Sequence, residues 1–167
     1  MTVNRDELRK TLGRFATGVT VITVAEDQRQ VHGMTANSFT SVSLEPPLIL
    51  VCIDERARTL PLVHTQQRFG INVLSHDQQA LAEYFAKTTL DHDSAQQLNA
   101  RFAFPPRGTP LLEPCLAQLE CFVVSSQPAG DHTILLAEVE EAIVREGRPL
   151  LFYASRYWEI GDARSGP

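Results

Sequence analysis

Residues 31–53 read VHGMTANSFTSVSLEPPLILVCI, and the fold turns on how this stretch is read. Leu48-Ile49-Leu50-Val51-Cys52-Ile53 is an unbroken apolar run, the pattern of a buried strand. Ahead of it, Val31 to Ser38 carries a glycine and small polar residues where a strand should be running. Thr35, Ser38, Thr40, Ser41 and Ser43 add hydroxyls. Small hydroxyl and amide side chains let a flat ligand come close to the backbone and share hydrogen bonds with it. A plain polar hairpin between two strands has the same composition. Pro46-Pro47 fixes the turn, because proline locks its own φ and restricts its predecessor.

Working outward, Val19-Thr20-Val21-Ile22-Thr23-Val24 is β-branched throughout and predicts a strand. Glu26-Asp27-Gln28 reads as a turn, and Gln30 to Thr35 as the returning hairpin partner. Asn4 followed by Glu7 predicts a helix start, with Leu8, Leu12 and Phe15 on one face and Gly18 as its end. Asp54-Glu55-Arg56-Ala57-Arg58-Thr59 is a charged loop; Thr59 is expected to cap a short helix that tolerates Pro61 in its first turn. Phe69 to Leu74 is a further strand, and Asp77 to Lys87 a helix with Leu81, Tyr84 and Phe85 on its apolar face. From Thr88 to Pro114 the periodicity dissolves into a proline-rich loop. Leu116 to Ser125 and Thr133 to Val144 are long strands around a Gln127–Asp131 turn, and Leu150 to Tyr153 is the last strand. Many strands, few helices and no βαβ alternation predict an antiparallel barrel.

A length of 167 residues suits one domain with a substantial core, with residues 1–7 and 159–167 expected as loose ends. A net charge of −5 gives no general electrostatic support for a nucleic-acid partner. No apolar stretch reaches the roughly 18 residues that a membrane span requires, and the N-terminus lacks the apolar core of a secretory signal. Cys52, Cys115 and Cys121 form no framework of pairs and no metal-ligand cluster, so a cytoplasmic protein with free thiols is the simplest reading. Asp91-His92-Asp93 has the composition of a metal site, but consecutive ligands converge poorly on one ion, and a solvated loop fits better. Gly-x-Gly-x-x-Gly, the P-loop and Gly-x-Ser-x-Gly are all absent.

The 31–47 stretch resembles the signature of the flavin reductase-like family, the FMN-binding split-barrel proteins. The resemblance continues, in order, through Phe69-Gly70-Ile71-Asn72-Val73-Leu74, Gly130-Asp131-His132-Thr133 and Pro149-Leu150-Leu151-Phe152-Tyr153. It runs from about Leu8 to Trp158, and within the family the 31–47 and 149–157 stretches look most like the reductase of styrene-type monooxygenases. It implies a mainly β fold, an antiparallel six-stranded split β-barrel of Greek-key type with a few flanking helices. It also implies an NAD(P)H:flavin oxidoreductase that takes FAD or FMN as flavin and NADH or NADPH as hydride donor. Reduced flavin would pass to a separate monooxygenase, and the reductase itself would be a homodimer.

Residue by residue, Thr35, Ala36, Asn37 and Ser38 match the segment that lines the isoalloxazine ring. Asp54, Arg56, Ala57, Arg58 and Thr59 match the phosphate loop, with alanine at 57 where the family often has serine. His132 matches the histidine of the nicotinamide site, where geometry for direct hydride transfer counts for more than proton transfer. Arg156 and Tyr157 match a basic-aromatic ending, and Ser43, Cys52, Ile53, Asn72 and Phe102 are further expected flavin contacts. A non-catalytic flavin-binding module and a pyridoxamine-phosphate-oxidase-like enzyme share the barrel. The first needs no nicotinamide turn, and the second is expected to carry more basic phosphate ligands than Arg56, Arg58 and Arg156.

Overall fold

In the computed structural model, residues 3–27, 30–87, 98 and 100–161 are described. The elements run α1 (Arg5–Leu12), β1 (Thr17–Gly18), β2 (Thr20–Ala25), β3 (Val31–Ala36), β4 (Thr40–Leu44) and β5 (Pro47–Asp54). There follow α2 (Thr59–Gln66), β6 (Arg68–Val73), a 3-10 turn at His76–Gln78, α3 (Gln79–Phe85), β7 (Arg101–Ala103) and β8 (Leu111–Glu113). Two long strands, β9 (Ala117–Ala129) and β10 (His132–Val144), precede β11 (Leu150–Tyr153) and β12 (Arg156–Glu159).

The mainly β expectation holds, but the six-stranded barrel is corrected to a seven-stranded sheet. Seven strands form one antiparallel sheet in the order β3-β2-β6-β9-β10-β5-β4. β1-β11-β12 and β7-β8 make two small sheets beside it. The extra strand is β4, TSVSL, whose side chains are mostly exposed. An edge strand with neither face buried carries no apolar alternation, so it reads as a loop. β3 and β4 stand at opposite ends of the sheet order, yet only residues 37–39 join them. Four Cα steps span at most about 15 Å. Seven flat strands would set the outer pair about 29 Å apart. The sheet therefore curls until its ends approach. Ser38 secures the link: its hydroxyl donates to the Cys52 carbonyl at 2.8 Å and accepts from the Cys52 amide at 3.1 Å.

The curl makes two cores. Ile22, Val24, Val51, Ile53, Phe69, Ile71 and Leu135 pack on one face with Leu60 and Val63 of α2. Val19, Val21, Leu74, Leu112 and Leu150 pack on the other with Leu81, Ala82, Tyr84 and Phe85 of α3. β2 is thus buried on both faces, which is why its sequence is continuously apolar or threonine. Cys115 and Cys121 sit in these cores, and burial pushes both thiols up to about 12.

Several boundaries differ from the sequence reading. Asn4 caps α1 through its side chain, bonded to the Asp6 amide at 2.8 Å, but the helix closes at Gly13. Gly18 instead belongs to β1, opposite Leu151. Arg5–Glu7, expected as a loose end, form the first turn of α1. Leu8, Leu12 and Phe15 of the predicted apolar face remain exposed, Phe15 at 78%. The α-helical part of the 77–87 segment begins two residues late, at Gln79, behind a 3-10 turn with a capping box between Ser75 and Gln78. The 88–114 loop holds the β7-β8 ribbon, while 88–97, 99 and the Asp91-His92-Asp93 triplet lie outside the described residues.

Asn72 knits the second core together. Its side-chain amide donates to Val21 O at 2.8 Å and Thr23 Oγ1 at 3.0 Å, while its oxygen accepts from the Leu112 amide at 2.7 Å. Replacing it with alanine leaves a buried carbonyl and a buried amide without partners. Each such loss costs about 1–3 kcal/mol. Asn72→Ala should therefore lower unfolding stability by about 2–4 kcal/mol in urea titrations. A change below about 0.5 kcal/mol, the scale of a neutral surface substitution, contradicts the assignment.

Candidate functional site

A cleft of about 610 Å³ opens where three elements meet. β3 contributes His32, Gly33, Met34 and Thr35; the segment entering α2 contributes Asp54, Arg56, Ala57, Arg58 and Thr59; the end of α3 contributes Phe85, Ala86 and Lys87. Gly33 is required here. A Cβ at this position would lie 2.5 Å from the Phe85 ring, so only glycine lets α3 press against the sheet beneath the cleft. Thr35 fixes the same contact by donating its hydroxyl proton to Ala82 O at 2.7 Å. The resulting floor is apolar, formed by Met34, Phe85 and Ala86, and one wall is strongly polar.

That wall is an ordered turn. Asp54 Oδ1 accepts the Arg56 backbone amide at 2.8 Å, and the Asp54 carboxylate takes a bidentate pair from the Arg56 guanidinium at 3.0 and 2.8 Å. Those bonds hold the Asp54 carboxyl well below the usual carboxylate range and raise Arg56. Arg58 pairs with Glu26 across the cleft rim. Arg58, not Thr59, occupies the N-cap position of α2, and it makes no side-chain cap bond. Thr59 is the first helical residue, fully buried, with its hydroxyl 3.1 Å from His32 Nε2. The start of α2 adds a local dipole that favours an anion.

His132 reaches this wall through the sheet. It is the first residue of β10, directly after the Gly130-Asp131 turn, and its Cα pairs with that of Asp54. Gly130, at φ +71°, supplies the left-handed backbone that a two-residue turn demands. The Glu55 amide donates to Asp131 O at 3.1 Å, and Thr133 Oγ1 donates to a Glu55 carboxylate oxygen. His132 Nδ1 lies 2.8 Å from Asp131 Oδ1, which pulls the Asp131 carboxyl below its ordinary range. The His132 ring is 43% exposed and points no bond into the core.

Of the expected site residues, Thr35, Asp54, Arg56, Ala57, Arg58 and Thr59 line the cleft, and His132 adjoins it. Ala36, Asn37 and Ser38 follow directly on β3; Asn37 reaches Thr17 Oγ1 at 3.3 Å. Cys52 meets Ser38 through its backbone, and the Ile53 side chain is fully buried in the core. Asn72, an expected flavin contact, is fully buried, and both ends of its side-chain amide are bonded inside the protein. Phe102 stands behind the cleft, its ring 6.5 Å from Phe85. Ser43 bonds the Glu45 amide at 3.2 Å on β4, outside the cleft. Arg156 and Tyr157 lie on β12 in the small sheet, where Tyr157 packs 5.4 Å from Phe152. The sequence reading missed His32, Glu26, Phe85 and Lys87. His32 and Lys87 border motifs already singled out, but Glu26 joins the site only through a long-range pair that local spacing cannot show. Among the described residues, no three His, Cys, Asp or Glu side chains converge as metal ligands.

His32 gives the cleft a pH signature. Burial, and then the charge of Arg58, push its imidazole below 6.5, against a smaller opposing pull from Glu26. The unfolded chain therefore binds more protons just below that value, so stability must fall as pH drops through it. The loss levels off below the folded-state value. Urea midpoints between pH 5 and 8 should show this slope, and His32→Gln should flatten it. An identical slope in the variant assigns the effect to another group.

Residues 12–161 match the family described as flavin reductase like domain. An NADH-dependent flavin reductase of a Rhodococcus species is 47% identical over 152 residues, covering 90% of this chain and 83% of that protein. The styrene monooxygenase flavin reductase of Pseudomonas putida S12 superposes with a TM-score of 0.84 at 35% identity, over 93% of this chain and 98% of its own. The NADH:FAD oxidoreductase SgcE6 of Streptomyces globisporus, solved with NAD and FAD fragments, gives 0.85 at 35% identity over 99% of both chains. The curled sheet, the arginine-bearing turn and the histidine beside it are thus accounted for together: this chain belongs to the flavin reductase-like family.

Proposed function

We propose that the protein is an NADH-dependent flavin reductase that supplies reduced flavin to a separate monooxygenase component. One observation carries the reading: strand register sets His132 beside Asp54, so the residue read as the nicotinamide contact adjoins the cleft read as the phosphate site. The residues fit a flavin. Gly33 keeps the floor flat, Met34 and Phe85 offer apolar contact, and Arg56, Arg58 and the start of α2 offer charge-assisted bonds to a phosphate. A bound flavin accepts a hydride from NADH and hands two electrons onward.

The protein's own part is placement. β3 and the segment after it present Ala36, Asn37 and Ser38 along the ring edge, with Ser38 locked by its two bonds to Cys52. Thr35 has already given its proton to Ala82 O, so toward a ligand its hydroxyl can only accept. His132, steered by Asp131, would position the nicotinamide. The Glu55 bonds to Asp131 and Thr133 tie that turn to the phosphate wall, so donor and acceptor sites keep their spacing. A homodimer belongs to this reading, because Leu8 and Leu12 of α1 and Phe15 just beyond it leave apolar side chains exposed at 46–78%. Free thiols and the demand for NADH suit the cytoplasm.

The direct test is a steady-state assay of the purified protein with NADH or NADPH against FAD, FMN and riboflavin. NADH oxidation that depends on added flavin is the expected result; flavin binding without turnover identifies a binding module instead. His132→Ala should leave stability within about 0.5 kcal/mol. The same variant should slow flavin reduction or raise the KM for NADH by up to about a hundredfold. Wild-type NADH dependence in the variant rejects the assignment. Ala57→Ser should tighten phosphorylated flavins by roughly ten- to a hundredfold, the worth of one hydrogen bond to a charged group. Unchanged binding means that this turn does not reach the phosphate. Sedimentation equilibrium checks the dimer: a fully active monomer at micromolar concentration excludes it.

A further inference from the structure

The arginines offered to a phosphate are already engaged. Asp54 chelates Arg56, and Glu26 pairs with Arg58. The two pairs are not equivalent. Asp54 also caps the Arg56 backbone amide, so its first role is to shape the turn. The hairpin end that Glu26 occupies is closed by its backbone amide, bonded to Gln30 O at 2.8 Å, and among the described residues its side chain pairs with Arg58. Its side chain is only 28% exposed, while that of Arg58 is 63% exposed. The carboxylate is therefore the more enclosed member of the pair and the guanidinium the more accessible one. Among the described residues, His32, Asp54, Arg56 and Lys87 are the other charged or titratable groups lining the cleft.

We propose that Glu26 is an affinity-setting residue, a resident carboxylate that competes with the flavin phosphate for Arg58 and keeps phosphorylated flavins exchangeable. The proposal rests on the reading of this cleft as the flavin phosphate site. A phosphate that reaches Arg58 either displaces Glu26 or shares the guanidinium with it. In the first case it forfeits the existing ion pair; in the second it sits beside a like charge. Both reduce affinity. A protein that must give up reduced flavin to another enzyme gains from that weakness, since affinity is tuned largely through the off-rate.

The test is a fluorescence titration of riboflavin, FMN and FAD against wild type, Glu26→Gln, Arg58→Gln and the double variant. Glutamine keeps the shape of Glu26 and removes its charge. Glu26→Gln should bind FMN and FAD about two- to fivefold more tightly, the scale of a half-exposed ion pair. Riboflavin, which has no phosphate, should bind as to wild type. The gain should shrink in high salt and vanish in the Arg58→Gln background. Glu26→Asp, which keeps the charge, should not tighten binding. If Arg58→Gln leaves FMN and FAD affinity unchanged, the phosphate reading fails and the proposal fails with it. If Arg58→Gln weakens both ligands while Glu26→Gln leaves them unchanged or weaker, Glu26 only orients Arg58 and the competition alone is overturned. Should Glu26→Gln fold poorly, Glu26→Ala serves the same comparison.

Discussion

Everything in this molecule depends on a short tether. Residues 37–39 join the two ends of a seven-stranded sheet, and so short a segment forces the sheet to bend round on itself. The bend creates an inside, filled by Phe69, Ile71, Val51 and Leu135, and an outside, covered by α3. It also brings β3 beside the end of β5, so that the cleft has a floor from one sheet end and a wall from near the other. Ser38 matters because it keeps this tether from fraying: one hydroxyl satisfies both backbone groups of Cys52. Without that pair, a carbonyl and an amide in the bent region would need other partners.

The site is assembled from strand ends and not from one motif. β3 gives the apolar approach, β5 runs into the charged turn, and β10 begins at the histidine. Precision comes from the ladder, because register decides that residue 132 and no neighbour faces Asp54. Specific hydrogen bonds then refine what register begins, as Glu55 does for the β10 turn. Electrostatics are balanced within the site itself: each arginine of the wall has a carboxylate of its own. That arrangement leaves the wall internally paired, with Asp54 on Arg56 and Glu26 on Arg58.

Much of this was legible in the sequence, and the exceptions share a cause. Buried strands announce themselves through continuous apolar residues, so β2, β5, β6 and β11 lie within a residue or two of their predicted limits. β4 escaped because its side chains face water, and the β7-β8 ribbon because three-residue strands carry no period. Asn72 is singled out by resemblance as a flavin contact, and its internal bonds are not visible in the sequence. Its three partners come from β2 and β8, distant in sequence, and no spacing rule exposes them. The phosphate-type turn was legible by resemblance, whereas Glu26 required the fold.

The placement of the sulfur atoms bears on durability. Reduced flavin that meets oxygen before its acceptor generates peroxide, so a protein of this class works within reach of an oxidant of its own making. Peroxide attacks thiolates that it can touch. Cys115 and Cys121 are 4% and 0% exposed, and with thiols pushed up to about 12 they hold almost no thiolate near neutrality. Cys52 is less covered, but burial raises its thiol too. The same close packing that fills the two cores thereby shields Cys115 and Cys121 from self-inflicted oxidation.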